Sequence, residues 1–169
     1  MVNEPSMNYN PLEVKNTTPL DPSQAPVSAK ALETDPQNES LVLVVDDSID
    51  NLTAISLHLQ QSGFRVATAT NGEEGVRVAA LTKPDIIVMD LAMPGVDGLE
   101  STRMIRQNEN LKDIPVIALT AFSTEGFRRA AHDTGFDGYL TKPIDFARLH
   151  DLIGRLIGLA RSARNNPAS

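Results

Sequence analysis

A chain of 169 residues is long enough for one domain with a proper core and too short for two comfortable ones. Its net charge of −7 and pI near 4.9 argue against a nucleic-acid backbone as the main partner, because that partner selects a basic face. The lack of cysteine excludes a disulfide framework, a thiolate metal site and a cysteine nucleophile. No apolar run approaches the roughly 18 residues that span a bilayer, and no basic-then-apolar leader opens the chain, so a cytoplasmic protein without a membrane segment is expected.

Residues 1–40 carry six of the eleven prolines, no glycine and few large apolar side chains. That composition cannot offset chain entropy by burial, and a disordered tail is expected there. Leu41 to Val45 is a continuous apolar, β-branched run that ends in Asp46-Asp47-Ser48, which reads as a buried strand entering a helix capped by Ser48. Leu52, Ile55 and Leu59 then recur at helical spacing, predicting a helix over Ile49–Ser62 with Gly63 as its left-handed stop. Phe64 to Thr70 reads as a second strand. Asn71 caps a second helix with Glu73 and Glu74 in its first turn, running to about Leu81 before Pro84 closes the turn.

The next stretch organises the chain. Ile86-Ile87-Val88-Met89 lies between Asp85 and Asp90, the pattern of a strand buried on both faces in a parallel sheet. It ends on Asp90 and a loop containing Met93-Pro94-Gly95, where open α/β sheets place their ligands. A short third helix is expected over Leu99–Gln107 and a fourth strand over Pro115–Thr120. Ser123 is expected to cap a fourth helix to about Thr134, with Gly135 as stop, before a fifth strand over Gly138–Thr141. After Lys142-Pro143, Asp145 caps a last helix whose apolar face is Leu149, Leu152, Ile153, Leu156 and Ile157; residues from Arg161 onward are expected to fray.

Strand and helix alternate five times, which indicates one doubly wound, five-stranded parallel sheet. Right-handed crossovers bring the carboxyl ends of all its strands to one edge. Asp46 and Asp47, Asp90, Thr120 and Lys142 therefore become neighbours. Clustered carboxylates repel unless a cation sits among them, and hard oxygen donors without His or Cys select Mg²⁺ or Mn²⁺. Lys142 adds a fixed positive charge and Thr120 a hydroxyl donor. Cationic groups around one nucleophilic carboxylate suit phosphoryl transfer, in which charge on the transferring oxygens must be neutralised. His58, His132 and His150 lie inside predicted helices with no acid or second ligand at a useful spacing, and read as surface or half-buried helix residues.

With these residues in view, residues 41–159 resemble a receiver domain of the two-component response regulators, with flanking tails at 1–40 and 160–169. The resemblance is carried by Asp46-Asp47, Asp90 with Met93-Pro94-Gly95, Thr120-Ala121, and Tyr139 three residues before Lys142-Pro143. It implies a flavodoxin-like (βα)5 fold with strand order 2-1-3-4-5. It also implies that Asp90 accepts a phosphoryl group from a sensor histidine kinase or a histidine phosphotransfer protein. Asp47, Asp90 and the backbone carbonyl of Ala92 would ligate Mg²⁺, and Asp46 would act through a bound water. Lys142 would pair with the phosphoryl oxygens next to a cis bond to Pro143. Thr120 and Tyr139 would form the switch, altering an output surface that carries Arg128, Arg129, His132, Arg148 and Arg155.

The expected function is that of a stand-alone, phosphorylation-controlled protein-binding module whose downstream partner is a protein, with no direct nucleic-acid or membrane partner and no enzymatic turnover beyond its own phosphorylation and dephosphorylation. Apolar Ala92 and Phe122, two residues beyond Asp90 and Thr120, offer no group to orient water, so a long-lived phosphoryl state is expected. A phosphorelay intermediate that passes the group onward is the alternative within the family, and a homodimer through the last two helices stays open. An aspartate-nucleophile phosphohydrolase is a more remote reading, because the residue two beyond Asp46 is Ser48 and not a second acid. A nucleotide binder is weaker still, since the loops lack a Gly-rich phosphate cradle.

Overall fold

The computed structural model describes residues 40–121 and 124–165. The Pro-rich segment at 1–39, Phe122 and Ser123, and residues 166–169, on which expectations were placed above, lie outside the described residues. The elements alternate as β1 (Leu41–Val45), α1 (Ile49–Gln61), β2 (Arg65–Ala69), α2 (Gly72–Thr82), β3 (Ile86–Asp90), α3 (Gly98–Gln107), β4 (Val116–Thr120), α4 (Glu125–Thr134), β5 (Gly138–Thr141) and α5 (Phe146–Asn165). All pairings are parallel and the order is β2-β1-β3-β4-β5, as the resemblance implied. The chain reverses its direction of winding between β1 and β3, the two strands that carry the aspartates. This is the switch point at which doubly wound sheets bind ligands.

Because side chains alternate along a strand, each central strand feeds two cores. Val42, Val44, Ile86, Val88, Ile117 and Leu119 pack with Leu52, Ile55 and Leu59 of α1 and Leu149, Ile153 and Leu156 of α5. Leu43, Val45, Ile87, Met89, Val116 and Ala118 pack on the opposite face with Ala79 of α2, Ile105 of α3 and Ala131 of α4. β3 and β4 are buried along their whole length, which is why they read as unbroken apolar runs. β2 at the edge is mostly exposed or half-buried, and only its last residue, Ala69, is buried.

Most helix boundaries follow local chemistry. Ser48 and Asn71 accept hydrogen bonds from the backbone N–H groups of Asn51 and Glu74, as N-caps do. Gly63 and Gly135 adopt φ of 88° and 102°, where a Cβ would be strained. Asp145 accepts from the Arg148 N–H at the start of α5.

Besides one-residue differences at the ends of α1, β2, α3 and β4, three boundaries differ from expectation. The residue preceding α4 as its cap is Thr124, whose side chain makes no capping bond. α2 continues to Thr82 and ends on Lys83 at φ 46°; the following Pro84 disfavours a right-handed helical conformation there, and the Lys83 N–H still reaches the Ala79 carbonyl. α5 does not fray at Arg161 but runs to Asn165. The Arg161 guanidinium lies 3.0 Å from Ser40 Oγ and 3.5 Å from Asp85 Oδ1, so contacts remote in sequence hold this part of the helix.

Candidate functional site

The site forms where β1, β3, β4 and β5 end. The last residues of β3 and β4 are buried, so Asp90 and Thr120 reach the edge from inside the sheet, 2 % and 1 % exposed. Asp46, immediately after β1, is fully buried, whereas Asp47 is exposed. Carboxylate oxygens of Asp46, Asp47 and Asp90 all lie within 4.8 Å of one another.

The Lys142 ammonium bridges this cluster, 3.0 Å from Asp46 Oδ2 and 3.1 Å from Asp90 Oδ2. Burial works against its charge, but hydrogen bonds to Asp46 and Asp90 and the charges of both carboxylates outweigh it, leaving the Lys142 pKa above the ordinary lysine value. The Lys142 backbone N–H also donates to the Thr120 carbonyl at 2.8 Å, tying the ends of β4 and β5 together. The next peptide, Lys142–Pro143, is cis.

The loop after β3 is held close to the sheet. A Cβ at Gly98, the first residue of α3, would collide with the Asp90 carbonyl oxygen and the Leu91 side chain, and one at Gly72 would collide with Val96 and Ser101. Both positions need glycine because backbones approach there. Ala92 sits exposed in this loop, and its N–H reaches Asp90 Oδ1 at 3.3 Å.

Two partners of Asp46 were not apparent from sequence. The Ser48 N–H donates to Asp46 Oδ1 at 2.9 Å, and the Asn51 side-chain amide reaches both Asp46 oxygens at 3.1 Å. The only sequence signal for this was an amide residue in the first turn of the helix that follows the acidic pair. Buried Asp46 is thus compensated by a backbone donor, an amide and an ammonium, as a buried carboxylate must be.

The other expected residues separate into two groups. Half-buried Tyr139 packs against the core that contains α4, and the Arg128 guanidinium lies 5.5 Å from the centre of its ring. Arg148 and Arg155 of α5 line a groove with Tyr139, and Arg128 with Arg148 borders a second. Arg129 and His132 are exposed on α4 and line neither groove. His58 stacks on Phe146 and His150 packs edge-on to Phe64, so these two histidines serve the α1–α5 side of the fold, away from the carboxylates.

The donor set suits a hard divalent cation. Three carboxylates converge, no imidazole or thiolate is among them, and one ammonium leaves the cluster with surplus negative charge. No helix among the described residues is long and apolar enough to cross a membrane.

Comparison with known proteins agrees with this architecture. The profile of the response regulator receiver domain matches residues 42–154. The transcriptional regulatory protein PrrA of Mycobacterium tuberculosis is 42% identical over 120 residues, covering 71% of this chain and 49% of PrrA, so the chain spans about half the length of that relative. The polar-differentiation response regulator DivK of Brucella anthropi is 33% identical over 117 residues, covering 69% of this chain and 95% of DivK. Among solved structures, the receiver domain of the sensor histidine kinase PA1611 from Pseudomonas aeruginosa, with a magnesium ion coordinated in its active-site cleft, superposes with a TM-score of 0.66 at 38% identity. That match covers 71% of this chain and 98% of the other. On its fold, the residues at its sheet edge and these relatives, the chain belongs to the response regulator receiver domain family.

Proposed function

We propose that this protein is a receiver that accepts a phosphoryl group on Asp90 from a histidine kinase or histidine phosphotransfer protein and uses it to switch a protein-binding surface. The observation that carries this reading is the Lys142 ammonium shared between Asp46 and Asp90 inside a cluster of three carboxylates. A lone ammonium cannot neutralise three carboxylates. The surplus negative charge attracts a further cation, and with one bound the site would present two positive centres to an incoming phosphoryl group.

Asp46, Asp47 and Asp90 are the residues that would hold Mg²⁺, with the Ala92 carbonyl as a further ligand. The bound ion would neutralise charge on the phosphoryl oxygens. In transfer, an Asp90 carboxylate oxygen attacks phosphorus, the P–N bond to the donor imidazole breaks, and its electron pair leaves with the imidazole, which takes up a proton. The product is an acyl phosphate on Asp90.

The phosphoryl group adds about two negative charges and three acceptor oxygens. Lys142 turns from the carboxylates to those oxygens, and the Thr120 hydroxyl follows. Because the Lys142 N–H is bonded to the Thr120 carbonyl, the ends of β4 and β5 respond together. The Tyr139 ring then changes its packing, and with it the face shared with Arg128, Arg148 and Arg155, which Arg129 and His132 extend. The exposed arginines suit a protein partner with an acidic patch. This chemistry is stoichiometric signalling and not turnover of a substrate, and it belongs in the cytoplasm, where phosphohistidine donors are made.

Intact mass after incubation with Mg²⁺ and acetyl phosphate tests the reading. One added phosphoryl group is expected for the wild-type chain, none without Mg²⁺ and none for Asp90→Asn. Asp47→Ala is expected to lose the Mg²⁺ dependence together with the product. Addition to Asp90→Asn would overturn the assignment.

A further inference from the structure

The Asn51 side chain has no role in the chemistry described so far, yet it is fixed on the most buried carboxylate of the site. Asn51 lies in the first turn of α1, whose N-terminus is locked by the Ser48 cap on the Asn51 N–H. Its amide nitrogen reaches Asp46 Oδ1 and Oδ2 at 3.1 Å each. Only the donating face of the amide can sit there, because its oxygen would repel both carboxylate oxygens.

The remaining partners of Asp46 differ in kind. The Ser48 N–H, 2.9 Å from Oδ1, belongs to the backbone and cannot leave. The Lys142 ammonium, 3.0 Å from Oδ2, sits on a flexible stem and is shared with Asp90. In phosphoryl acceptance Lys142 is the partner that moves. Without Asn51, its departure would strip Oδ2 of its donor and leave a fully buried charge half compensated.

We infer that Asn51 is a positioning residue: its amide fixes the Asp46 carboxylate for the divalent cation and keeps it satisfied when Lys142 is released to the phosphoryl group. The inference rests on the receiver reading above and extends it to a residue of α1. Residues that orient ligands through hydrogen bonds tune metal affinity. The amide thus sets the affinity for Mg²⁺ before phosphorylation and the rate at which Lys142 exchanges during it.

The test uses the full chain and three variants: Asn51→Leu, which keeps volume and removes the donor; Asn51→Ala, which removes both; and Asn51→Gln, which retains an amide. Calorimetric titration of the unphosphorylated proteins with Mg²⁺ is the first readout. Asn51→Leu and Asn51→Ala are expected to bind about tenfold more weakly, with Asn51→Gln recovering part of the loss. The rate of phosphorylation by acetyl phosphate at saturating Mg²⁺ is the second, and it is expected to fall for the same two variants while the product still reaches one phosphoryl group per chain. A residue that only supported packing would be replaced by leucine without loss of Mg²⁺ affinity. Thermal melting identifies any variant that fails to fold, and the other donor-free variant then decides.

Wild-type Mg²⁺ affinity and wild-type rate in a folded donor-free variant would overturn the Asn51 assignment and leave the receiver reading standing. A wild-type chain that neither binds Mg²⁺ nor gains a phosphoryl group would overturn both.

Discussion

The two edges of the sheet hold similar charged groups in opposite conditions. At the amino-terminal edge, the Arg106 guanidinium from α3 is fully committed: Nε donates to the Gly135 carbonyl at 2.9 Å, Nη1 to the carbonyls of Lys112 and Ile114 at 2.9 and 2.8 Å, and Nη2 to Asp137 Oδ2 at 2.8 Å. The same Asp137 oxygen accepts the Val116 N–H at 2.8 Å. Burial lowers the Arg106 pKa, opposed by the charges of Asp137 and Asp113, and the fork geometry satisfies the cation without an outside partner. At the carboxyl-terminal edge, three carboxylates face one shared ammonium. The first edge is closed by protein groups and holds α3, β4 and β5 together. The second is left short of positive charge, and in the proposed function a cation and a phosphoryl group from outside would complete it.

This contrast can be broken from either side. Asp90→Asn has the largest expected effect on chemistry and little on the fold: complete loss of phosphoryl addition by intact mass, with a thermal midpoint near the wild-type value. Arg106→Ala should show the reverse. Three carbonyls and the Asp137 carboxylate lose their donor, so urea unfolding should report a loss of about 2 kcal/mol, with one phosphoryl group still added per folded chain. Loss of phosphoryl addition in folded Arg106→Ala would show that the edges are not separable.

Arg161→Ala, which removes the contacts to Ser40 and Asp85 in a more exposed setting, should cost about 1 kcal/mol by the same measurement. Glu74→Gln should have the smallest effect and a definite pH dependence. The Glu74 carboxylate accepts from the Thr70 N–H and hydroxyl, both at 2.8 Å; these bonds, the backbone one first, hold its pKa below the usual glutamate range. A carboxyl whose pKa is depressed by folding adds stability above its unfolded value of about 4.3 and loses it as pH falls through the folded value. The variant should therefore be slightly less stable than wild type near neutrality, and the two should converge in acid.

The elements that reasoning from sequence reached most directly are those whose causes are local. Strands buried on both faces, such as Ile86–Asp90, announce themselves by uninterrupted apolar runs, and Gly63 and Gly135 by the turns only they can make cheaply. The strand-end residues Asp46, Asp90, Thr120 and Lys142 could be placed at one edge because parallel topology leaves no other arrangement. The end of α5 could not, because Arg161 is held by Ser40 and Asp85, far away in the chain. Asn51 was missed for the same reason. Five residues beyond Asp46 and inside a helix, it looks like an ordinary first-turn residue until the turn after β1 folds its amide back onto the carboxylate.

The sequence by itself determined the alternation of strand and helix, the two apolar faces of the sheet, and which ionisable residues stand at the strand ends, since each follows from periodicity and from the chirality of the crossover. The tertiary structure alone decided which carboxylate is buried and which is exposed, where Lys142 is shared, and which donors hold Asp46. Burial and hydrogen bonding at that edge depend on distances among four strand ends and a helix start, and such distances exist only once the sheet has formed.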